Sequence, residues 1–236
     1  MRKWIGKAIT DLLNLFYPPV CLLCGSALAN GEKQLCARCV CGLSYAGFRG
    51  VSDNPVAYLP VAGEKPVSAT AYYRFEQGGG VQRLIHAVKY LGNKELGYLL
   101  GRWAALDLLA SDEDLFRKAQ LLVPVPLHPR KYRKRGYNQS EWIARGMASV
   151  LNIPVCTAAI QRNVMTESQT GKTAYNRWAN VADVFSVSDP AQIMGKYVLL
   201  VDDVITTGAT AGSCINVLSS VEGTQVGFFA LSAALP

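Results

Sequence analysis

Residues 198–210 read Val-Leu-Leu-Val-Asp-Asp-Val-Ile-Thr-Thr-Gly-Ala-Thr, and this stretch contains the most informative pattern in the chain. The run 198–201 is continuously apolar rather than alternating, which predicts a parallel strand covered on both faces. Two adjacent carboxylates, Asp202 and Asp203, follow at the position where open α/β sheets bind their ligands. The stretch therefore predicts a buried strand that ends in a polar ligand site.

The segment after the two carboxylates predicts a phosphate-binding turn. Gly208 permits a positive φ or a close approach of the backbone to a ligand. Helical spacing of the apolar residues Cys214, Leu218 and Val221 predicts a helix, whose N-terminus would point N–H groups and a positive dipole at phosphate. The alternative is an ordinary strand-turn-helix with a solvated acidic turn. The candidate phosphate-binding residues are Thr206, Thr207, Gly208, Ala209 and Thr210.

This combination resembles the 5-phosphoribosyl-1-pyrophosphate (PRPP) binding motif of the type I phosphoribosyltransferases. Carboxylates such as Asp202 and Asp203 can accept hydrogen bonds from paired hydroxyls or attract a magnesium-bound ligand. The resemblance implies that they hold the ribose hydroxyls, that residues 206–210 bind the 5′-phosphate, and that magnesium bridges pyrophosphate and ribose oxygens. It also implies an α/β fold in which a parallel sheet is flanked by helices.

The positive charge of the chain is concentrated in one segment. The 236 residues carry a formal net charge of +7. Subtracting the five cations at positions 130, 131, 133, 134 and 135 leaves only +2 on the rest of the chain. The basicity is therefore a local property, and phosphate-bearing ligands are its natural partners.

The basic segment follows a second predicted strand. Residues 121–126 are apolar and end at prolines, which predicts a buried strand that leads into a dense cationic loop over residues 128–139. Either Asn138 or Ser140 can start the helix that follows. A solvated charge run is the alternative, but arginine binds phosphate oxygens bidentately. The candidate anion-binding side chains are Lys131, Arg133 and Arg135.

Further along the body of the domain, residues 70–75 predict a strand. Residues 81–110 predict two helices separated near Gly92 and Asn93. The first of these helices carries His86, interpreted as a packed or surface residue, and Lys89, for which functional and structural roles are equally supported.

Two cysteine pairs predict a metal site near the N-terminus. Cys21 and Cys24, and Cys36 and Cys39, each have the Cys-x-x-Cys spacing, which turns two thiolates toward one ion. Four thiolates in tetrahedral geometry select zinc, so we expect a structural zinc ribbon. Redox chemistry and substitution by Cys41 are the alternatives.

The first seventeen residues predict an amphipathic docking helix that ends at Pro18 and Pro19. They lack the apolar length of a membrane-spanning helix and the pattern of a signal peptide, while binding to a membrane surface remains an alternative. With no export signal, we expect a cytoplasmic protein whose seven cysteines are reduced. The predicted division is 1–46 for the helix and ribbon and 47–236 for the phosphoribosyltransferase-like domain.

Taken in order along the chain, these motifs resemble the competence protein F (ComF) family. That resemblance rests on the ribbon, a His-Pro-Arg-x-x-Arg-x-Arg-Gly-x-Asn-Gln segment and the Asp202-Asp203 motif. It implies a phosphoribosyltransferase-like protein associated with DNA uptake or with the use of external DNA. A third matching block, which in the family belongs to the loop over the active site, contains Arg162, Thr166, Gln169, Arg177, Asn180 and Phe185.

The resemblance implies catalytic roles for Asp202, Asp203, Arg133 and Arg135, with Lys131 assisting in neutralising pyrophosphate. No residue can be identified from the sequence as the one that recognises an acceptor base. Three functions stay open: a working phosphoribosyltransferase of salvage type, a non-catalytic PRPP sensor, and a single-stranded-DNA-binding accessory. A DNA-uptake helicase or membrane-associated uptake machinery is the expected protein partner.

Overall fold

The computed structural model of the protein describes residues 18–48, 51, 53–59, 65–110, 117–163 and 184–235. A four-stranded parallel sheet forms its centre, in the order β1-β6-β5-β2. A two-stranded antiparallel sheet, β3-β4, lies apart from it. The strands are β1 (Ser68–Arg74), β2 (Leu121–Pro124), β3 (Ile160–Arg162), β4 (Phe185–Val187), β5 (Tyr197–Ile205) and β6 (Gln225–Ala233).

Strand β5 occupies the middle of the sheet, between β6 and β2, and pairs in parallel with both. Its side chains alternate between two hydrophobic cores. Leu199 and Val201 pack into one core, whereas Val198 and Leu200 pack into the other. The prediction of a parallel strand covered on both faces is therefore confirmed.

Helices cover both faces of the sheet, which confirms an α/β fold with a parallel sheet. The predicted break in 81–110 is also confirmed, because one helix ends at Tyr90 and the next begins at Lys94. Asn93 accepts a hydrogen bond from the Leu96 N–H at 3.0 Å and so starts the second helix. The helices are α1 (Ala37–Cys41), α2 (Gly80–Tyr90), α3 (Lys94–Ala110), α4 (Pro129–Arg135), α5 (Gln139–Leu151) and α6 (Ala209–Ser219).

Helices α3 and α5 cross at backbone contact, and two glycines make this possible. A Cβ atom at Gly101 of α3 would overlap the carbonyl oxygen of Ile143 in α5. In the same way, a Cβ at Gly146 of α5 would overlap the carbonyl oxygen of Tyr98 in α3. This close packing sets the position of α5 and thus of the side chains at its N-terminus.

Short segments lie along both outer strands of the sheet. At β1, Ala46 N–H donates to the Tyr72 carbonyl at 3.0 Å, and Arg74 N–H donates to the Ser44 carbonyl at 2.8 Å. At β2, Cys156 N–H donates to the Leu122 carbonyl at 2.8 Å. The segment that leaves the cysteine-rich region thus hydrogen-bonds directly to the sheet. The division into 1–46 and 47–236 stays a prediction.

The prediction of a cationic loop over 128–139 is wrong for its first half, where the chain forms helix α4. His128 is the N-cap, and its Nδ1 accepts the Arg130 N–H at 3.1 Å. Pro129 at the first helical position supplies a suitable φ, and Gly136 ends the helix with φ +82°. These caps specify a helix despite repulsion among the cations. Asn138 caps α5 by accepting the Ser140 N–H at 3.1 Å, as one of the two alternatives predicted.

Among the described residues, no helix is long and apolar enough to cross a membrane. The predicted docking helix of residues 1–17 lies outside the described residues.

Candidate functional site

The two predicted carboxylates lie at the carboxyl end of β5 and are nearly buried. Asp202 is 8% exposed and Asp203 is 4% exposed. Ser140, at the start of α5, donates its hydroxyl to Oδ1 of Asp202 at 3.0 Å. The Asp203 N–H donates to the same oxygen at 2.8 Å. One oxygen of Asp202 is therefore fixed from two sides, which orients the carboxylate.

Asp203 is held by a cation from another element. Nζ of Lys89, in the last turn of α2, lies 2.7 Å from Oδ2 of Asp203. The Val204 N–H donates to the other oxygen at 3.0 Å. Ser140 thus donates a hydrogen bond to Asp202, and Lys89 forms an ion pair with Asp203. For Lys89 the sequence supported functional and structural roles equally, and the structure brings it into contact with the site.

Burial, and after it the charge of the neighbouring Asp203, raise the pKa of Asp202 from its ordinary value of 3.8 to about 7. The Asp203 N–H, the Lys89 ammonium and the Ser140 hydroxyl act in the opposite sense, because each stabilises the charged form. Asp202 therefore changes protonation near neutral pH, where a ligand hydroxyl or a cation would favour the charged form.

The turn after β5 has the geometry predicted for an anion site. Gly208 has φ +77° and precedes α6 as its N-cap. No side chain caps this helix and its first turn contains no acidic residue, so its N–H groups are open to an anion. Thr206, Thr207, Ala209 and Thr210 are all exposed around this N-terminus.

Helix α4 packs beside the C-terminal end of α2 and brings cations to Lys89. The Tyr137 hydroxyl, two residues after the end of α4, donates to the Val88 carbonyl of α2. The Arg135 guanidinium lies 5.5 Å from the centre of the Tyr90 ring and also donates to the Gln139 side chain. A cavity of about 400 Å³ opens between the helices, and we call it the cationic cavity. Its lining residues are Lys89, Tyr90, Gly92, Lys131, Lys134 and Arg135.

The structure therefore brings together only some of the predicted anion-binding residues. Lys131 and Arg135 line the cationic cavity with Lys89, which contacts Asp203. Arg133 does not line this cavity. Lys134, which the sequence did not single out from its neighbours, does. The helical spacing of α4 accounts for the difference, because residues 131, 134 and 135 share one face and residue 133 does not.

The four predicted zinc ligands lie together, with all four sulfurs within 4.8 Å of one another. The sulfurs of Cys24 and Cys36 are 3.7 Å apart. Four sulfurs at about 2.3 Å from a central ion would be about 3.8 Å apart, so the cluster is compatible with a structural zinc ion. Gly25 has φ +72° directly after the first pair, as a tight knuckle requires. Cys41 is exposed and lies outside the cluster.

The third matching block is described only at its two ends. Arg162 in β3 pairs with Phe185 in β4, and its guanidinium lies 5.3 Å from the centre of the Phe185 ring. Thr166, Gln169, Arg177 and Asn180 lie outside the described residues.

Ser140 is a site residue that sequence reasoning missed as a carboxylate partner. It was considered only as a possible helix start, although it is fully buried and contacts Asp202 across 62 positions of sequence. The contact arises because β2 pairs with β5, so that the segments that follow the two strands meet at the same edge of the sheet. Composition and periodicity carry no signal for this pairing.

No protein-family model matches the sequence. The chain is similar to the DNA utilization protein YhgH of Escherichia coli strain K12, with 26% identity over 217 residues, which cover 86% of this chain and 92% of that protein. The protein of the same name from Salmonella typhi matches equally. Competence protein F of Haemophilus influenzae is 30% identical over 116 residues, which cover 49% of this chain and 51% of that protein. The names of these relatives agree with the family that the sequence motifs resemble.

Two solved structures are more distantly similar. One is an allosteric regulatory enzyme of purine biosynthesis, with TM-score 0.44 and 17% identity over 62% of this chain and 30% of that chain. The other is an asparagine mutant at an invariant aspartic acid of HPRTs, with TM-score 0.34 and 14% identity over 66% of this chain and 77% of that one. Both likenesses are too weak to carry an argument.

Proposed function

We propose that the protein binds PRPP with magnesium at the carboxyl end of β5 and transfers its phosphoribosyl group to an acceptor. One observation carries the proposal. The buried pair Asp202 and Asp203 is followed directly by the open N-terminus of α6. The carboxylates can accept hydrogen bonds from the ribose hydroxyls, and the helix N-terminus can donate N–H groups to the 5′-phosphate. The two features therefore match the two ends of ribose 5-phosphate.

In the proposed reaction, the bond from ribose C1 to pyrophosphate breaks and a bond from C1 to an acceptor nitrogen forms. Asp202 and Asp203 orient the ribose through its hydroxyls, and residues 206–210 hold the 5′-phosphate. Lys131 and Arg135 are the proposed cations for the leaving pyrophosphate because both line the cationic cavity, whereas Arg133 does not. Magnesium, when bound, supplies charge neutralisation to the phosphate oxygens. Positioning and electrostatic stabilisation are then the main contributions of the protein.

The relatives support a biological setting in which DNA is taken up or used. The names DNA utilization protein and competence protein belong to proteins that match large parts of this chain. We therefore place the proposed activity in nucleotide metabolism that accompanies DNA use, in the cytoplasm. The proposed protein partner is a DNA-uptake helicase or membrane-associated uptake machinery, and zinc in the four-cysteine cluster is the proposed structural cofactor.

Calorimetric titration with PRPP and magnesium tests the binding site. We expect the double variant Asp202→Asn, Asp203→Asn to weaken PRPP binding by at least about tenfold, since several hydrogen bonds to charged acceptors are lost. Glu222→Gln is the matched control, because it removes an exposed carboxylate at the opposite end of the β5-β6 connection. Equal PRPP affinity in the double variant and in the control would refute the assigned site.

A PRPP-consumption assay across a panel of nucleobases separates transfer from binding alone. Turnover with any base supports a phosphoribosyltransferase. If PRPP binds and no base is converted, the protein acts as the non-catalytic PRPP sensor that is the alternative.

Helix α4 favours a second candidate function, the binding of single-stranded DNA. Within the described part of the chain, none of its five cations lies within ion-pair distance of a carboxylate, and Tyr90 beside it is 64% exposed. Clustered cations beside an exposed aromatic ring suit a nucleotide backbone and a stacked base.

The salt dependence of DNA binding tests this second function. We expect Arg133→Ala, Lys134→Ala and Arg135→Ala together to weaken binding and to reduce the salt slope by up to about two. Arg145→Ala serves as a control, because Arg145 pairs with Glu141 on α5 at 2.7 Å. DNA binding that is insensitive to salt, or unchanged in the triple variant, would exclude α4 as the interface.

A further inference from the structure

Lys89 belongs to two sites at once. Its Nζ lies 2.7 Å from Oδ2 of Asp203, so it neutralises one member of the acid pair. It also lines the cationic cavity, together with Lys131, Lys134 and Arg135. The side chain is 22% exposed, whereas that of Asp203 is 6% exposed. Lys89 therefore stands between a buried anion and an open cluster of cations.

A single ammonium group cannot serve both sites fully. While Lys89 is paired with Oδ2 of Asp203 and the Val204 N–H is bonded to Oδ1, fewer lone pairs of this carboxylate can accept hydrogen bonds from a ligand. The three other cations repel the Lys89 ammonium, because like charges that line one cavity raise each other's energy. An anion in the cavity reverses this balance, since it attracts all four cations and competes with Asp203 for Lys89.

We propose that Lys89 is a positioning residue that moves from Asp203 to a pyrophosphate group in the cationic cavity. Filling the cavity thereby releases Asp203 to accept the hydroxyls of a second group, which under the proposed function are those of ribose. The cavity of about 400 Å³ has room for a pyrophosphate group. The coupling makes an anion in the cavity and a hydroxyl ligand at Asp203 favour each other's binding.

Coupling of this kind is reciprocal, and this makes it measurable without any ribose compound. If Asp203 and the anion compete for Lys89, removal of the Asp203 charge must strengthen binding of the anion. The gain must depend on Lys89, because Lys89 is the group, among the described residues, that both contacts Asp203 and lines the cavity. Loss of charge alone would strengthen anion binding whether or not Lys89 is present.

Inorganic pyrophosphate is the probe, titrated into the full-length protein by calorimetry in magnesium-free buffer at pH 8. We expect Asp203→Asn to tighten pyrophosphate binding by about fivefold or more, within the usual range of coupling between sites. Lys89→Gln should weaken binding by about tenfold, and in that background Asp203→Asn should change the affinity by less than about twofold. Lys89→Arg retains the charge and should keep most of the affinity.

Asp202→Asn is the matched control, because it removes an adjacent carboxylate that accepts hydrogen bonds from Ser140 and from the Asp203 N–H, whereas the ion pair of Lys89 is with Asp203. It should tighten pyrophosphate binding clearly less than Asp203→Asn does. Thermal unfolding of each variant shows whether the fold is retained, and a variant that unfolds is replaced by Lys89→Met or Asp203→Ser.

Three results would overturn the proposal: no binding of pyrophosphate to the wild type, an equal gain from Asp203→Asn with and without Lys89, or an equal gain from Asp202→Asn. PRPP titration is scored separately. If PRPP binds and the double-mutant cycle of Lys89 and Asp203 shows no coupling, Lys89 has no positioning role and the proposed function stands. If the cycle shows coupling and PRPP does not bind, the role of Lys89 stands and the phosphoribosyl assignment falls.

Discussion

At the scale of single residues, Asp202 makes the stability of the protein depend on pH near neutrality. Its pKa is about 7 in the folded protein, compared with an ordinary value of 3.8. Between these two values the folded state binds more protons than the unfolded state, so stability falls as the pH rises through this window. Asp202→Asn removes the titration. Its melting temperature should therefore approach that of the wild type below the ordinary pKa of 3.8 and exceed it by a growing margin as the pH rises to about 7.

Differential scanning calorimetry across this pH range measures the effect. Asp203→Asn is informative beside it, because this change removes the partner of Lys89 and should lower the melting temperature at pH 8. A constant difference between wild type and Asp202→Asn at all pH values would show that Asp202 does not titrate near neutrality.

Ser140 provides a second prediction at this scale. Its buried hydroxyl donates to Asp202, so Ser140→Ala leaves a buried acceptor without that donor and should destabilise the protein by about 1 to 3 kcal/mol. Ser149→Ala on the same helix is the control, because that hydroxyl bonds only to the Gly146 carbonyl one turn before it. Denaturant unfolding compares the two variants. A loss for Ser149→Ala as large as that for Ser140→Ala would refute a special role for Ser140.

The sequence predicted some residues of the site and missed others for a physical reason. Asp202, Asp203 and Gly208 were predicted because their environment is local, set by one strand and the turn that follows it. Ser140 and Lys89 reach the acid pair from two helices, at positions far away in sequence. Their contacts depend on which strands are neighbours in the sheet, and composition and periodicity do not specify that order.

At the scale of elements, the crossing of α3 and α5 depends on glycine. In an exposed helix, alanine is more stable than glycine by about 1 kcal/mol. At Gly101 and Gly146 we expect the opposite, a loss of about 2 kcal/mol or more for each alanine variant, because a Cβ would overlap backbone atoms of the other helix. Gly97→Ala is the control, since the nearest atom to its Cβ would be a Val88 side-chain carbon at 3.3 Å.

Chemical denaturation of the three variants gives the comparison. The shift of α5 that relieves the overlap also moves Ser140 away from Asp202, so PRPP binding should weaken in Gly101→Ala and remain in Gly97→Ala. Gly101→Ala as stable as the wild type would mean that the helices can separate at little cost.

Helix α4 shows where element prediction from sequence failed. The five cations between Pro129 and Gly136 were interpreted as a loop framed by proline and glycine. The helix forms because these same two residues, together with His128, specify its two ends. Proline at the first helical position and glycine directly after the last one are signals of a helix as well as of a loop. Recognising the helix would have identified Lys134 as a neighbour of Lys131 and Arg135.

At the scale of the whole molecule, the cysteine-rich region and the α/β domain share one hydrophobic core. Cys21, Leu35 and Leu43 pack in the same core as residues of α2 and α3. Loss of zinc should therefore destabilise the entire protein rather than unfold a separate module. We expect about one zinc per chain, and a single unfolding transition at lower temperature in the variant Cys24→Ser.

Metal analysis and calorimetry test this prediction, with Cys41→Ser as the control. Cys41 is exposed and outside the cluster, so its replacement should leave zinc content and melting temperature unchanged. Two separate transitions in Cys24→Ser, or an absence of zinc in wild-type protein prepared with the metal, would contradict the prediction.

The order of strands in the sheet has a consequence for folding during synthesis on the ribosome. Strand β1 pairs with β6, in which Ala69 lies opposite Phe228, and the other partner of β6 is β5. At a synthesis rate of about 5 to 20 residues per second, β1 waits roughly 10 to 30 seconds for its partner. During this time its apolar side chains and backbone groups are open to other chains. We therefore expect newly made copies to aggregate more when chaperones that shield exposed strands are depleted.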